Sequence, residues 1–174
     1  MAETLDLLLD NATITAKIAE LAREIESDYE NEPVVLVCIL KGSIHFLSDL
    51  ARHVRLDTRI DFIQASSYHD SKTSSGVVQI RKDLDINIEG QNVIICEDIV
   101  DTGTTINYLR SLLETRNPKT LRVAALLSKP SAHVVENSID YLGFEIENEF
   151  VVGYGLDYAE RYRNLPYIAI LRGA

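Results

Sequence analysis

Apolar positions change period several times along the chain, and each change predicts an element. Ile14, Ile18, Leu21 and Ile25 recur at i, i+4, i+7 and i+11, the spacing of one helix face, with Thr13 placed to cap its start. That helix stops before Asn31-Glu32-Pro33, because proline cannot continue it. Val34 to Leu40 is then an unbroken apolar run, which is how a strand covered on both faces reads. Lys41-Gly42-Ser43 interrupts it, and Ile44, Leu47, Leu50 and Ala51 resume a helical stripe. Ile60, Phe62 and Gln64 alternate with Asp61, Ile63 and Ala65, predicting a further strand. Val77 to Ile80 predicts the next one. Val93 to Cys96 and Leu121 to Leu127 are again continuous apolar strands, with Ile106, Leu109 and Leu113 at helical spacing between them. Strand, loop and helix in repetition predict an α/β protein with a parallel sheet flanked by helices.

Composition narrows the class without changing that picture. The 174 residues suit one domain with a sizeable core, and no internal repeat or linker divides them. The net charge of −10 argues against a nucleic-acid or anionic-membrane partner, which would need clustered Lys and Arg. Cys38 and Cys96 lie inside strand-like runs without metal spacing and read as buried, reduced thiols. Met-Ala-Glu-Thr-Leu-Asp lacks the basic flank of a signal peptide. No apolar run approaches membrane-spanning length, so the expected location is cytoplasmic.

The most informative stretch is Glu97-Asp98-Ile99-Val100-Asp101-Thr102-Gly103-Thr104-Thr105, between a buried strand and a helix. In an open α/β sheet, ligands bind outside the carboxyl end of a strand. Thr102 to Thr105 offer backbone amides, short hydroxyls and a helix N-terminus, which suit a phosphate. Glu97, Asp98 and Asp101 suit the opposite ligands: a divalent cation, sugar hydroxyls or a proton. A phosphorylated ribose carrying a metal-bound pyrophosphate needs both sets. If strand geometry persists through Glu97 and Asp98, their side chains point to opposite faces.

This segment resembles the phosphoribosyl-pyrophosphate signature of the type I phosphoribosyltransferases, and its Ile-Val insert resembles the purine-salvage, hypoxanthine-guanine branch. The likeness extends from about Val34 to Leu171. Leu40-Lys41-Gly42-Ser43 resembles the family's pyrophosphate loop, and Ser67-Tyr68 its lid dipeptide. Phe150-Val151-Val152-Gly153-Tyr154-Gly155-Leu156-Asp157-Tyr158 is similar to its base-recognition segment. The resemblance implies a parallel-sheet core with a small hood over the carboxyl ends of the strands, formed by about residues 1–33 and 128–174. It also implies a flexible lid at about 66–76, whose serine-rich polarity suits a mobile loop on its own terms.

The implied activity is Mg2+-dependent transfer of 5-phosphoribosyl from phosphoribosyl pyrophosphate to hypoxanthine or guanine, giving IMP or GMP and pyrophosphate. By resemblance, Lys41, Gly42, Ser67, Tyr68 and Arg163 meet pyrophosphate. Glu97, Asp98 and Thr102, Gly103, Thr104 and Thr105 hold the phosphoribosyl group. Lys129 meets the purine's 6-oxo group, Phe150 stacks on the base, and Val151 and Asp157 lie beside it. Glu97, Asp98 and Asp157 are the candidates for metal contact, and a homo-oligomer is implied. Asp101, between the acidic pair and the phosphate loop, is the candidate general base or acid; a loop-capping Asp is the alternative.

Other motifs fail on spacing. Gly153-Tyr154-Gly155 lacks the third glycine of a dinucleotide fingerprint and opens no helix, and no GxxxxGK[ST] is present. Asp98 and Asp101 are one residue too far apart for a phosphatase pair. His45, His53, His69 and His133 have no ligand spacing. A regulator on the same fold, binding phosphoribosyl pyrophosphate or nucleotides and controlling an RNA or a partner, is the alternative to an enzyme; the acidity weighs against RNA binding.

Overall fold

The computed structural model describes residues 3–67, 78–135 and 138–173. Its frame is a six-stranded sheet of β2 (Val34–Leu40), β3 (Thr58–Ser67), β4 (Val78–Lys82), β5 (Asn92–Val100), β6 (Thr120–Ser128) and β7 (Tyr141–Glu145). The strand order is β4-β3-β2-β5-β6-β7. All neighbours pair in parallel except β4, which runs antiparallel to β3. Helices α1 (Asn11–Tyr29) and α2 (Ile44–His53) cover one face and α3 (Thr104–Glu114) the other.

The continuous apolar strands need both covers. Val34, Leu36 and Cys38 of β2 enter the core beneath α1 and α2, while Val35, Val37 and Ile39 enter the one beneath α3. In β5, Ile94 and Cys96 face the first core, and Val93 and Ile95 the second. Burial raises the Cys38 thiol to about 11, so both cysteines are free, buried and poorly nucleophilic. Asp10, rather than Thr13, caps α1: its carboxylate accepts the Thr13 amide at 2.8 Å. On α2 the buried stripe is Phe46, Leu47 and Leu50, and Ile44 stays exposed.

A second sheet, in the order β1-β9-β8, is antiparallel and small. It joins β1 (Thr4–Leu9), β8 (Val151–Val152) and β9 (Ile168–Arg172). Neither β1 nor β9 is marked by alternation in the sequence, because each is short and lies where partners decide pairing. The segments expected to form a hood therefore divide. Helix α1 packs on the six-stranded sheet, and β7 belongs to that sheet, whereas β1, β8 and β9 build the small one. No helix among the described residues is long and apolar enough to cross a membrane.

Tyr154, in the loop after β8, is buried, and its hydroxyl donates to Asp49 of α2. That bond ties the loop of the small sheet to the helix that follows Lys41-Gly42-Ser43. A second buried tie is Asp61, 3% exposed on β3. Its Oδ2 accepts the amides of Asp85 and Ile86, each at 2.8 Å, and its Oδ1 accepts the Phe62 amide at 2.7 Å. Asp61 thus anchors the segment between β4 and β5, which an alternating pattern alone does not reveal. Asp61→Ala leaves those amides without their acceptor and should lower the unfolding free energy by about 2 kcal/mol, measured by urea denaturation. A loss under a few tenths of that figure would mean water satisfies the amides equally well.

Candidate active site

Three candidate residues are the first to follow three adjacent parallel strands: Lys41 after β2, Asp101 after β5 and Lys129 after β6. The register aligns Val100 with Ser128, and the Lys129 amide donates to the Val100 carbonyl at 3.0 Å. Lys129 is buried, and its Nζ lies 3.2 Å from Asp101 Oδ2. Asp101 itself is exposed. The Leu40–Lys41 peptide is cis, and the Ser43 hydroxyl donates to the Ile39 carbonyl.

Thr102, Gly103, Thr104 and Thr105 form the turn into α3. Gly103 adopts φ 83° at the N-cap, and the Thr104 amide donates to Thr102 Oγ1 at 3.4 Å. The first-turn amides of a helix have no partners within it, so this turn presents donors and the positive end of the helix dipole. Residues 101–103 and Thr105 line a cavity of about 80 Å³ together with Glu97 and Ile99.

β5 stays extended to Val100, and Glu97 and Asp98 do point to opposite faces. Glu97 lines the cavity at the phosphate loop. Asp98 packs against Gly42, where an added Cβ would overlap its carboxylate. Glu97 is buried and its Oε2 has no hydrogen-bond partner among the described residues. Burial, with help from the Asp98 charge, holds its carboxyl well above the usual range. Burial also pushes Asp98 up to about 6. The amides of Ile99 and Asp98 and the Arg163 guanidinium pull it the other way, and Asp157 adds to the rise.

The segment after β8 meets the loop after β2 here. Gly155, at φ 103°, approaches so closely that a Cβ would overlap the Gly42 carbonyl. Arg163 donates to the Gly155 carbonyl at 2.7 Å and pairs with Asp157 Oδ1 at 2.8 Å; its Nε is buried without a partner among the described residues. Lys41 pairs with Glu160 Oε2 at 2.9 Å. Glu160 belongs to no motif in the sequence. Phe150 exposes half its surface and meets the Tyr158 ring edge-on at 5.8 Å. Val151 is buried and pairs with Ile170 of β9. Ser67 ends β3, while Tyr68 and most of the expected lid lie outside the described residues.

Among the described residues no three metal-ligating side chains cluster into a cage. Glu97 with its unpartnered oxygen, Asp98 and Asp157 are hard oxygen donors. Such a sparse set fits Mg2+, which is commonly bound through one or two carboxylates, substrate phosphates and water.

A family model described as phosphoribosyl transferase domain matches residues 4–159. Over 171 residues the chain is 49% identical to a hypoxanthine-guanine phosphoribosyltransferase of Mycobacterium avium, covering 95% of this chain and 84% of that one. The enzyme of the same name from Streptococcus agalactiae is 46% identical over 166 residues, covering 95% and 92%. A crystal structure of a hypoxanthine-guanine phosphoribosyltransferase from Bacillus anthracis superposes with a TM-score of 0.91 at 46% identity, over 95% and 97% of the two chains. The chain belongs to the type I phosphoribosyltransferases, in their hypoxanthine-guanine branch, and is an enzyme.

The carboxylates of β5 set a pH dependence. An acid whose folded pKa exceeds its unfolded value holds its proton more tightly when folded, so stability falls as pH rises between the two values. For Asp98 that window runs from its usual 3.8 to about 6. In Mg2+-free buffer, Asp98→Asn should therefore gain stability over the native chain across this window, by up to about 3 kcal/mol. Denaturation curves at intervals from pH 4 to 7 measure it. A difference that stays flat with pH would remove the assigned shift.

Proposed function

We propose that the enzyme transfers the 5-phosphoribosyl group of phosphoribosyl pyrophosphate to N9 of hypoxanthine or guanine, releasing pyrophosphate and forming IMP or GMP. The observation that carries this reading is the buried Lys129 held 3.2 Å from Asp101 at the mouth of the phosphate loop. A 6-oxopurine offers such a pair two complementary groups. Its carbonyl oxygen accepts from the ammonium, which has donors only, and its imidazole presents the proton that a carboxylate can take or return. The net acidity and the absence of a basic stripe in the sequence weigh against an RNA-binding role.

In this reading Thr102 to Thr105 bind the 5′-phosphate through amides and hydroxyls. Lys41, the Gly42 backbone and Arg163 bind the pyrophosphate, and Glu97 and Asp98 meet the ribose hydroxyls. Phe150 covers one face of the base, and backbone carbonyls near Val151 and Asp157 accept from a 2-amino group. Mg2+, when bound by Asp98, Asp157 or Glu97 with the substrate's phosphates, supplies charge neutralisation to the leaving group. Displacement at the anomeric carbon builds oxocarbenium character, so the residues that fix the two phosphate ends contribute mainly by orientation. A homo-oligomer is the working assembly, and the cytoplasm is the working location.

Two measurements test the assignment. Asp101→Asn should lower kcat by roughly 10²- to 10⁴-fold while leaving phosphoribosyl pyrophosphate binding within a few-fold; unchanged kcat with reduced thermal stability would instead make Asp101 a loop cap. Comparing kcat/KM for hypoxanthine, guanine, xanthine and adenine tests the lysine. Adenine turns an amino group toward Lys129, donor against donor, and forfeits the charge-assisted hydrogen bond that a 6-oxo group accepts, worth roughly 1.5–3 kcal/mol. Hypoxanthine and guanine should therefore lead, xanthine should trail because it lacks the 2-amino donor, and adenine should come last. Equal use of adenine, or full activity of Lys129→Ala on the oxopurines, would refute the assignment.

A further inference from the structure

Glu160 touches both cations assigned above to the pyrophosphate. Its Oε2 accepts from Lys41 Nζ at 2.9 Å, and its Oε1 lies 3.3 Å from Arg163 Nη2. One carboxylate thus bridges two loops that are far apart in sequence, in the position a doubly coordinated anion would take. The same Arg163 nitrogen also pairs with Asp157 Oδ1 at 2.8 Å. Two cations and two carboxylates cancel, so an incoming diphosphate meets a neutral cluster rather than a bare positive one.

The two carboxylates are held differently. Asp157 is half-buried, whereas the Glu160 side chain is 65% exposed. The backbone of Glu160 is fixed: Ala159 and Glu160 adopt φ 52° and φ 61°, and the Glu160 amide donates to Asp157 Oδ2 at 2.8 Å. Beyond the Cα, its atoms are free to rotate into water without moving the loop. Exposed ion pairs of this kind are weak, on the order of 0.2–1 kcal/mol each, so a diphosphate with its metal displaces them readily.

The geometry points to Glu160 as a built-in competitor for the diphosphate subsite. It occupies Lys41 and Arg163 in the free enzyme, swings out when a diphosphate-bearing substrate enters, and returns as the diphosphate product leaves. This role rests on the assignment of Lys41 and Arg163 to pyrophosphate.

The test is calorimetric binding of inorganic diphosphate with Mg2+ to the full chain, with no transfer reaction involved. Glu160→Gln keeps the side-chain size and removes the charge, and should tighten diphosphate binding roughly threefold to tenfold, the scale of two exposed ion pairs. Glu20→Gln, exposed on α1 and paired with Lys17, controls for the general effect of removing one negative charge. Lys41→Met reports on the subsite itself. Tighter binding in Glu160→Gln than in Glu20→Gln supports the competitor role. Equal or weaker binding, with Lys41→Met still losing affinity, leaves the subsite standing and overturns the role of Glu160. Unchanged binding in Lys41→Met overturns the subsite assignment and this inference with it.

Discussion

The site depends on two glycines packed too closely for any side chain of their own. Gly155, after β8, rests on the Gly42 carbonyl, and Gly42 in turn rests on the Asp98 carboxylate at the end of β5. No side chain fits between these three segments, so two loops and a strand end share one small volume. Glycine is required at Gly155 twice over, by the overlap and by its φ of 103°. Any Cβ at either position pushes apart the parts that carry Lys41, Asp98 and Arg163. The Tyr154 hydroxyl on Asp49 holds the contact from the flank, by tying the same loop to α2.

That packing concentrates charge. Strand ends deliver Lys41, Asp101 and Lys129, while the turn after β8 delivers Asp157, Glu160 and Arg163. They neutralise one another in pairs, Lys41 with Glu160, Arg163 with Asp157 and the buried Lys129 with Asp101. The buried carboxylates of β5 have no ion pair among the described residues. Glu97 has an oxygen without a hydrogen-bond partner there, and Asp98 is raised to about 6. Buried polar groups left unsatisfied cost stability, and such groups concentrate at functional sites. Here Glu97 lies at the turn into α3 and Asp98 against the loop after β2, both at the carboxyl ends of the parallel strands.

How much of this was legible in the sequence follows from the kind of force involved. Strands β2, β5 and β6 are buried on both faces, so hydrophobic content alone marks them, and Val34–Leu40 is read to the residue. The acidic run and the threonine loop carry chemistry at short spacing, and the alternation of β5 correctly sends Glu97 and Asp98 to opposite sides. What escaped depends on distant partners. β1 and β9 are strands because they pair with each other, and Asp61 is buried because two amides from the next segment reach it. The Asp10 cap lies one turn outside the apolar stripe that suggested Thr13. α1 reads as amphipathic, yet periodicity does not say which sheet it covers, so assigning it to a hood rested on resemblance.

Glu160 shows the same limit at the site. Its neighbours Asp157 and Arg163 stand out through a likeness to known motifs, but an exposed glutamate between Ala159 and Arg161 has no pattern to distinguish it. Its position follows from the two left-handed residues of the turn and from Lys41, more than a hundred residues away, so only the assembled fold gives it a partner. The Glu160–Lys41 contact joins the segment after β8 to the loop after β2 by charge, alongside the Gly155–Gly42 contact that joins them by shape. The two differ in how they yield. Packing against a carbonyl has no alternative state and keeps the loops in register, whereas an exposed ion pair exchanges one anion for another at little cost. A site built this way stays assembled when its ligand leaves, and rigid backbone with replaceable charge is the combination that repeated binding and release of a diphosphate requires.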